Sequence, residues 1–61
     1  MAPERKIIAA LTRYGSLSDD LIAGLAGIPS RVELAARRRL VRRGAVQRGK
    51  VFSGRMAWRA V

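Results

Sequence analysis

Apolar positions fall at helical spacing through the first two thirds of the chain and at strand spacing after that. Ile7, Ala10, Leu11 and Tyr14 recur at i, i+3, i+4 and i+7, the period of an amphipathic helix. Pro3 suits the first helical position and Glu4 the first turn, where a carboxylate complements the helix dipole. Gly15 ends the element, so a first helix is expected over about 3–14, with Tyr14 read as a core residue whose hydroxyl reaches water. Leu21, Ile22 and Leu25 supply the apolar face of a second helix over about 19–26. Ser18 is its natural N-cap, Asp19 and Asp20 sit in its first turn, and Gly27 stops it. Leu17 is placed to staple this end by packing forward onto Ile22. Gly24 lies inside the helix, where glycine costs about 1 kcal/mol against alanine, and close approach of a neighbouring helix is the expected reason.

The third element runs from Ser30 to Gly44, SRVELAARRRLVRRG. Pro29 disfavours helix in the residue before it. Ser30 and Glu33 have the spacing of a capping box, and Gly44 is a natural stop with Arg42 and Arg43 against the negative end of the dipole. A helix over about 31–43 follows. At about 100° per residue, Val32, Ala36 and Leu40 form a stripe that can face a core. Arg31, Ala35, Arg38 and Arg42 lie opposite with Leu34 at the edge, and Arg37, Arg39 and Arg43 sit on the flanks. Beyond Gly44 the period becomes two. Val46 opens a strand, and Met56, Trp58 and Ala60 alternate with Arg55, Ala57 and Arg59, the pattern of a half-buried strand. Gly49 to Gly54 reads as a flexible turn, giving a two-stranded hairpin over about 45–60 whose Met56 and Trp58 pack on the third helix.

Composition narrows what such a chain does. At 61 residues it is one small domain with a marginal core. With no cysteine and no histidine it has no disulfide staple, no good zinc ligand set and no evident catalytic nucleophile–base pair. Neither metal nor other cofactor is expected, no small-molecule ligand is evident, and adjacent Asp19 and Asp20 are explained by helix capping rather than catalysis. No apolar run approaches a membrane span of roughly 20 residues, and MAPERK lacks the apolar centre of a signal peptide. The expected location is cytoplasmic, on the nucleoid. The formal charge is +9, and all of it lies in the second half: residues 1–30 balance, whereas residues 31–61 hold nine arginines and Lys50 against Glu33 alone. Solvated helix faces usually mix signs. A helix with six arginines and one acid is better suited to lie against phosphates.

The run IAGLAGIPS, followed by a helix ending LVRRGAV, resembles the winged helix-turn-helix family of DNA-binding domains, with Ile22, Ala23, Leu25, Gly27, Ile28, Leu40, Gly44 and Val46 at the matching positions. The resemblance spans nearly the whole chain and implies a mainly α fold with a small β-hairpin: a three-helix winged helix-turn-helix with the hairpin as wing. Family members often carry apolar residues where this chain has Glu33 and Arg37, an i, i+4 pair able to bridge to each other. The Asn and Tyr of the family's Z-form-binding subgroup would fall at Leu34 and Arg38, so the likeness does not extend to that subgroup.

The leading functional reading is sequence-specific binding of double-stranded DNA by a small transcriptional regulator, of a kind found in phage or mobile elements or cut from a larger regulator. The third helix would enter the major groove. Arg31, Leu34, Ala35 and Arg38 are the base-reading candidates, with Arg31 and Arg38 suited to guanine and Ala35 to the thymine methyl. Ser30, Arg39, Arg42 and Arg43, with Arg48, Lys50 and Arg55 of the wing, would hold phosphates, which position the protein without specifying sequence. A domain this small leaves room for a homodimer on a repeated half-site, although no heptad run is present to build the interface. The alternative is a protein-interaction module docking on an acidic surface, with Leu34, Val41, Val51 and Phe52 as contacts. RNA binding or general nucleic-acid packaging fits less well, because single-strand binders array several aromatics and this chain has three, two of them read as core.

Overall fold

In the computed structural model, residues 2–49 and 56–61 are described. The elements in chain order are α1 (Pro3–Tyr14), β1 (Leu17–Ser18), α2 (Asp19–Ala26), α3 (Ser30–Arg42), β2 (Val46–Arg48) and β3 (Ala57–Ala60). The three helices pack together, and the strands form one antiparallel sheet in the order β1-β3-β2. In register, Val46 faces Ala60, Gln47 faces Arg59 and Arg48 faces Trp58, while on the other side of β3 Leu17 faces Trp58 and Ser18 faces Ala57. The expected two-stranded hairpin is therefore part of a three-stranded sheet. Leu17, expected to staple α2, supplies backbone pairing to β3 and a buried side chain to the core. The expected turn after Gly49, with Lys50, Val51, Phe52 and Arg55, lies outside the described residues.

Ile7, Ala10 and Leu11 of α1, Leu17 of β1, Ile22 of α2, Ala36 and Leu40 of α3 and Val46 of β2 make the core, with Ile8, Ala26, Ile28, Ala45, Trp58 and Ala60 packed against it. Ala57, expected on the outer face with Arg59, is buried at 1% exposure. It sits in the central strand, where Ser18 flanks it and the Gly49 N–H donates to its carbonyl.

Two helix ends are built as the glycines suggest. At Gly44, with φ +77°, the N–H donates to the Val41 carbonyl and the next N–H, of Ala45, reaches back to Leu40. That is the pair of hydrogen bonds of a Schellman stop, and it turns the chain directly into β2. Gly27, with φ +72°, does the same: its N–H bonds to the Ala23 and Gly24 carbonyls and the Ile28 N–H bonds to Ala23.

Several local expectations are overturned. Tyr14 is 49% exposed, and Leu21 and Leu25 are 50% and 43% exposed. The eight-residue α2 buries Ile22 and is too short to cover α1's last turn, so Tyr14 and Leu25 line an open groove between the two helices. The Arg13 guanidinium lies over the Tyr14 ring, 5.5 Å from its centroid. Gly24 is exposed, and a Cβ built on it would meet nothing within 4 Å, so no close helix contact accounts for it. The capping box does not form. Pro29 is the N-cap of α3, its carbonyl accepts from the Glu33 N–H, and no side chain caps the end. Ser18 is the N-cap of α2 as expected, yet its hydroxyl donates to Asp20 Oδ1 at 2.8 Å rather than to the helix backbone.

The rotation of α3 also differs. Its buried residues are Glu33, Ala36, Arg37 and Leu40, at i, i+3, i+4 and i+7, whereas Val32 is half-buried. The helix thus turns a full amphipathic stripe inward, with a carboxylate and a guanidinium in two of its four places.

Candidate nucleic-acid interface

Turning Glu33 and Arg37 inward sorts the arginines of α3 by what each one touches. Arg37 Nε lies 3.0 Å from Glu33 Oε2, so the one acid on the helix is spent inside it. On the flank toward α1, Glu4 takes two more: Arg43 Nη2 lies 2.9 Å from Glu4 Oε1 and Arg39 Nε 3.4 Å from Oε2. Opposite the buried stripe, Arg31, Leu34, Ala35, Arg38, Val41 and Arg42 are exposed. Among the described residues, Arg31, Arg38 and Arg42 enter no ion pair. Ser30 is exposed in the first turn, where backbone N–H groups lack helical partners and the dipole is positive. All four base-reading candidates therefore share the outward face. Of the phosphate candidates, Arg42 shares it, Arg48 stands on β2 across a groove, Arg39 and Arg43 lean toward Glu4, and Lys50 and Arg55 lie outside the described residues.

The groove between α3 and the sheet has a volume of about 520 Å³ and is lined by Leu34, Arg37, Arg38, Val41 and Arg42 of α3, Arg48 and Trp58 of the sheet, and Asp19 of α2. Among the described residues, four guanidiniums and a single carboxylate meet here. Asp19 Oδ1 accepts hydrogen bonds from Trp58 Nε1 and Arg37 Nη1. The Arg37 guanidinium stacks over the Trp58 ring at 4.7 Å from its centroid, and that of Arg48 lies at 5.9 Å, both within reach of cation–π attraction. One carboxylate thereby ties α2, α3 and β3 together.

The two acids around Arg37 are shifted in opposite senses. Burial drives the Asp19 carboxyl upward, but hydrogen bonds from Trp58 and Arg37 and the Arg37 charge outweigh it and leave the group below its ordinary 3.8. Glu33 is pushed above its ordinary 4.5, because burial outweighs the attraction of Arg37. Its Oε2 is buried without a hydrogen bond despite the 3.0 Å ion pair, which is why Arg37 only partly offsets the desolvation.

The roles of Asp19, Arg37 and Trp58 as one unit were not read from the sequence, where Asp19 looked like a dipole partner, Arg37 a flank residue and Trp58 an apolar strand position. A signal was present for Arg37: winged-helix domains often carry apolar residues at its position and at Glu33, which marks both as inward-facing. Among the described residues no group of acids, histidines or cysteines is arranged to hold a metal ion. Among them, no helix is long and apolar enough to cross a membrane.

The sequence matches no protein-family model and no curated protein. Among solved structures, the fold is similar to a MarR family transcriptional regulator from Silicibacter pomeroyi DSS, with a TM-score of 0.86 at 19% identity over 97% of this chain and 40% of that one. It is also similar to the AntR antimony-specific transcriptional repressor, with a TM-score of 0.73 at 21% identity over 92% of this chain and 50% of that one. The chain is a winged helix-turn-helix domain: three helices with a small antiparallel sheet. It spans half or less of the length of either regulator.

Proposed function

We propose that this domain binds double-stranded DNA sequence-specifically and acts as a small transcriptional regulator, with α3 in the major groove and the β2–β3 wing on the backbone or minor groove. The observation that carries the reading is the charge sorting on α3. Its one acid, Glu33, is 3% exposed, so the helix presents to solvent a face whose charges are all cationic. Arg31 and Arg38 suit guanine O6 and N7, and Ala35 suits the thymine methyl. Leu34 lies beside them, while Arg42 and Arg48 hold phosphates on the two sides of the groove. Ser30, Lys50 and Arg55 complete the phosphate set in this reading. Arg39 and Arg43 contribute less than their position suggests, since Glu4 competes for both. The MarR family regulator and the AntR repressor, two solved structures of similar fold, are named as transcriptional regulators, which supports binding rather than catalysis.

The longest extent of the domain is 30 Å, less than the roughly 34 Å between the centres of half-sites one helical turn apart, so two copies fit side by side at that spacing. A homodimer on a repeated half-site accords with that span. Anisotropy of labelled random-sequence duplex against the protein, from about 50 to 300 mM salt, tests the reading. A log–log slope of about −4 to −6 is expected, five or so phosphates neutralised; absence of binding at the lowest salt overturns it. The competing reading, docking on an acidic protein through exposed Leu34 and Val41, requires a contact that survives high salt.

A further inference from the structure

We propose that Asp19 is a specificity-determining residue: its carboxylate holds the Arg37 guanidinium against Trp58 and keeps that charge from neutralising a DNA phosphate. The inference rests on the DNA-binding reading of the same face and adds a restraint to it. Among the described residues, Asp19 is the only acid lining a groove that also carries Arg37, Arg38, Arg42 and Arg48. Its side chain is 57% exposed while that of Arg37 is 9% exposed, so the carboxylate meets solvent whereas the guanidinium it bonds is largely covered. The position is fixed from two sides. Trp58 Nε1 donates to the same oxygen as Arg37 Nη1, and the Trp58 ring lies under the guanidinium. Glu33 Oε2 lies 3.0 Å from a second nitrogen of the same guanidinium, Arg37 Nε. Arg37 is thus a cation with two acids around it, in the middle of a helix on which Arg31, Arg38 and Arg42 enter no ion pair among the described residues.

The consequence follows from how phosphate contacts work. An added phosphate contact raises affinity for every sequence alike and carries no base information. Withholding Arg37 lowers sequence-independent binding, so the contacts of Arg31 and Arg38 decide a larger share of the total. Asp19 acts through Arg37 and is not itself a DNA contact.

The test compares the full chain with Asp19→Asn on labelled random-sequence duplex across salt, with circular dichroism and Trp58 emission confirming the fold. Asparagine keeps an oxygen for Trp58 Nε1 and removes the charge that neutralises Arg37. The expected result is several-fold tighter random-duplex binding and a salt slope steeper by about 0.9, one more phosphate. Adding Arg37→Gln to that variant returns the slope to the wild-type value. Arg37→Gln alone leaves the slope unchanged, because that charge is already withheld; this arm decides the matter should Asp19→Asn not fold. A folded Asp19→Asn protein with unchanged or weaker binding overturns the proposal, as does a slope that falls by about 0.9 in Arg37→Gln alone. If the wild-type chain does not bind duplex at all, the DNA-binding reading fails and this proposal with it.

Discussion

Glu33 and Arg37 occupy two of the four inward positions of α3, and the physical cost of that choice falls on Glu33. A buried carboxylate with an incompletely satisfied oxygen favours its protonated form, so its folded-state pKa lies above the ordinary 4.5. A carboxyl raised in the folded state contributes stability that is fully present below its unfolded pKa and lost as pH rises through the folded one. Asp19, held below 3.8, does the reverse: its contribution is present above 3.8 and lost as pH falls through its folded value. The two windows separate. Chemical denaturation of wild type and Glu33→Gln is therefore expected to show the wild type losing stability relative to the variant as pH rises from about 4.5 toward 7. A difference independent of pH in that range would show that Glu33 is not desolvated. These two residues were hard to read from sequence for a simple reason. Periodicity arguments score apolar identity, and the inward spacing of 33, 36, 37 and 40 is hidden when two of its members are charged. Val32 took their place because it is apolar, not because its angle suits the core better.

At the scale of elements, the helices were legible because their ends carry chemistry that does not depend on packing. Pro3, Gly15, Gly27 and Gly44 mark boundaries through backbone geometry alone, and the structure puts α1, α2 and α3 within a residue of the expected limits. The strand β1 was not legible. Two residues, Leu17 and Ser18, have no period to detect, and they are a strand because β3 lies alongside them. The inward burial of Ala57 follows from that same missing strand. Helix α2 shows the other limit: Leu21 and Leu25 have helical apolar spacing, yet eight residues bury Ile22 and leave both leucines exposed. Inside α2, Gly24 has neither a left-handed backbone nor a neighbour near its missing Cβ. Gly24→Ala should therefore stabilise the domain by about 0.5–1 kcal/mol, measured as a higher denaturation midpoint with unchanged slope. A loss of stability would reveal a contact the fold does not show.

For the whole molecule, the uneven charge along the sequence becomes a division between faces. Glu4 bridges α1 to Arg39 and Arg43, Asp19 bridges α2 to Arg37 and Trp58, and Glu33 is buried. Three acids are thus used within the fold, and Arg31, Arg38 and Arg42 stand outward on one side. Sequence alone gave the sign and the half of the chain; the sorting among arginines required knowing where Glu4 and Asp19 come to rest, because both partners are distant in sequence from the arginines they hold. The central claim is that this outward face binds duplex DNA. Its most direct test is the salt dependence of random-duplex anisotropy for the wild type beside a variant carrying Arg31→Ala, Arg38→Ala and Arg42→Ala. The account predicts a wild-type slope of about −4 to −6 and a folded variant whose binding is weaker by at least about tenfold at about 50 mM salt, with a shallower slope. A folded triple variant that binds as the wild type does would contradict it.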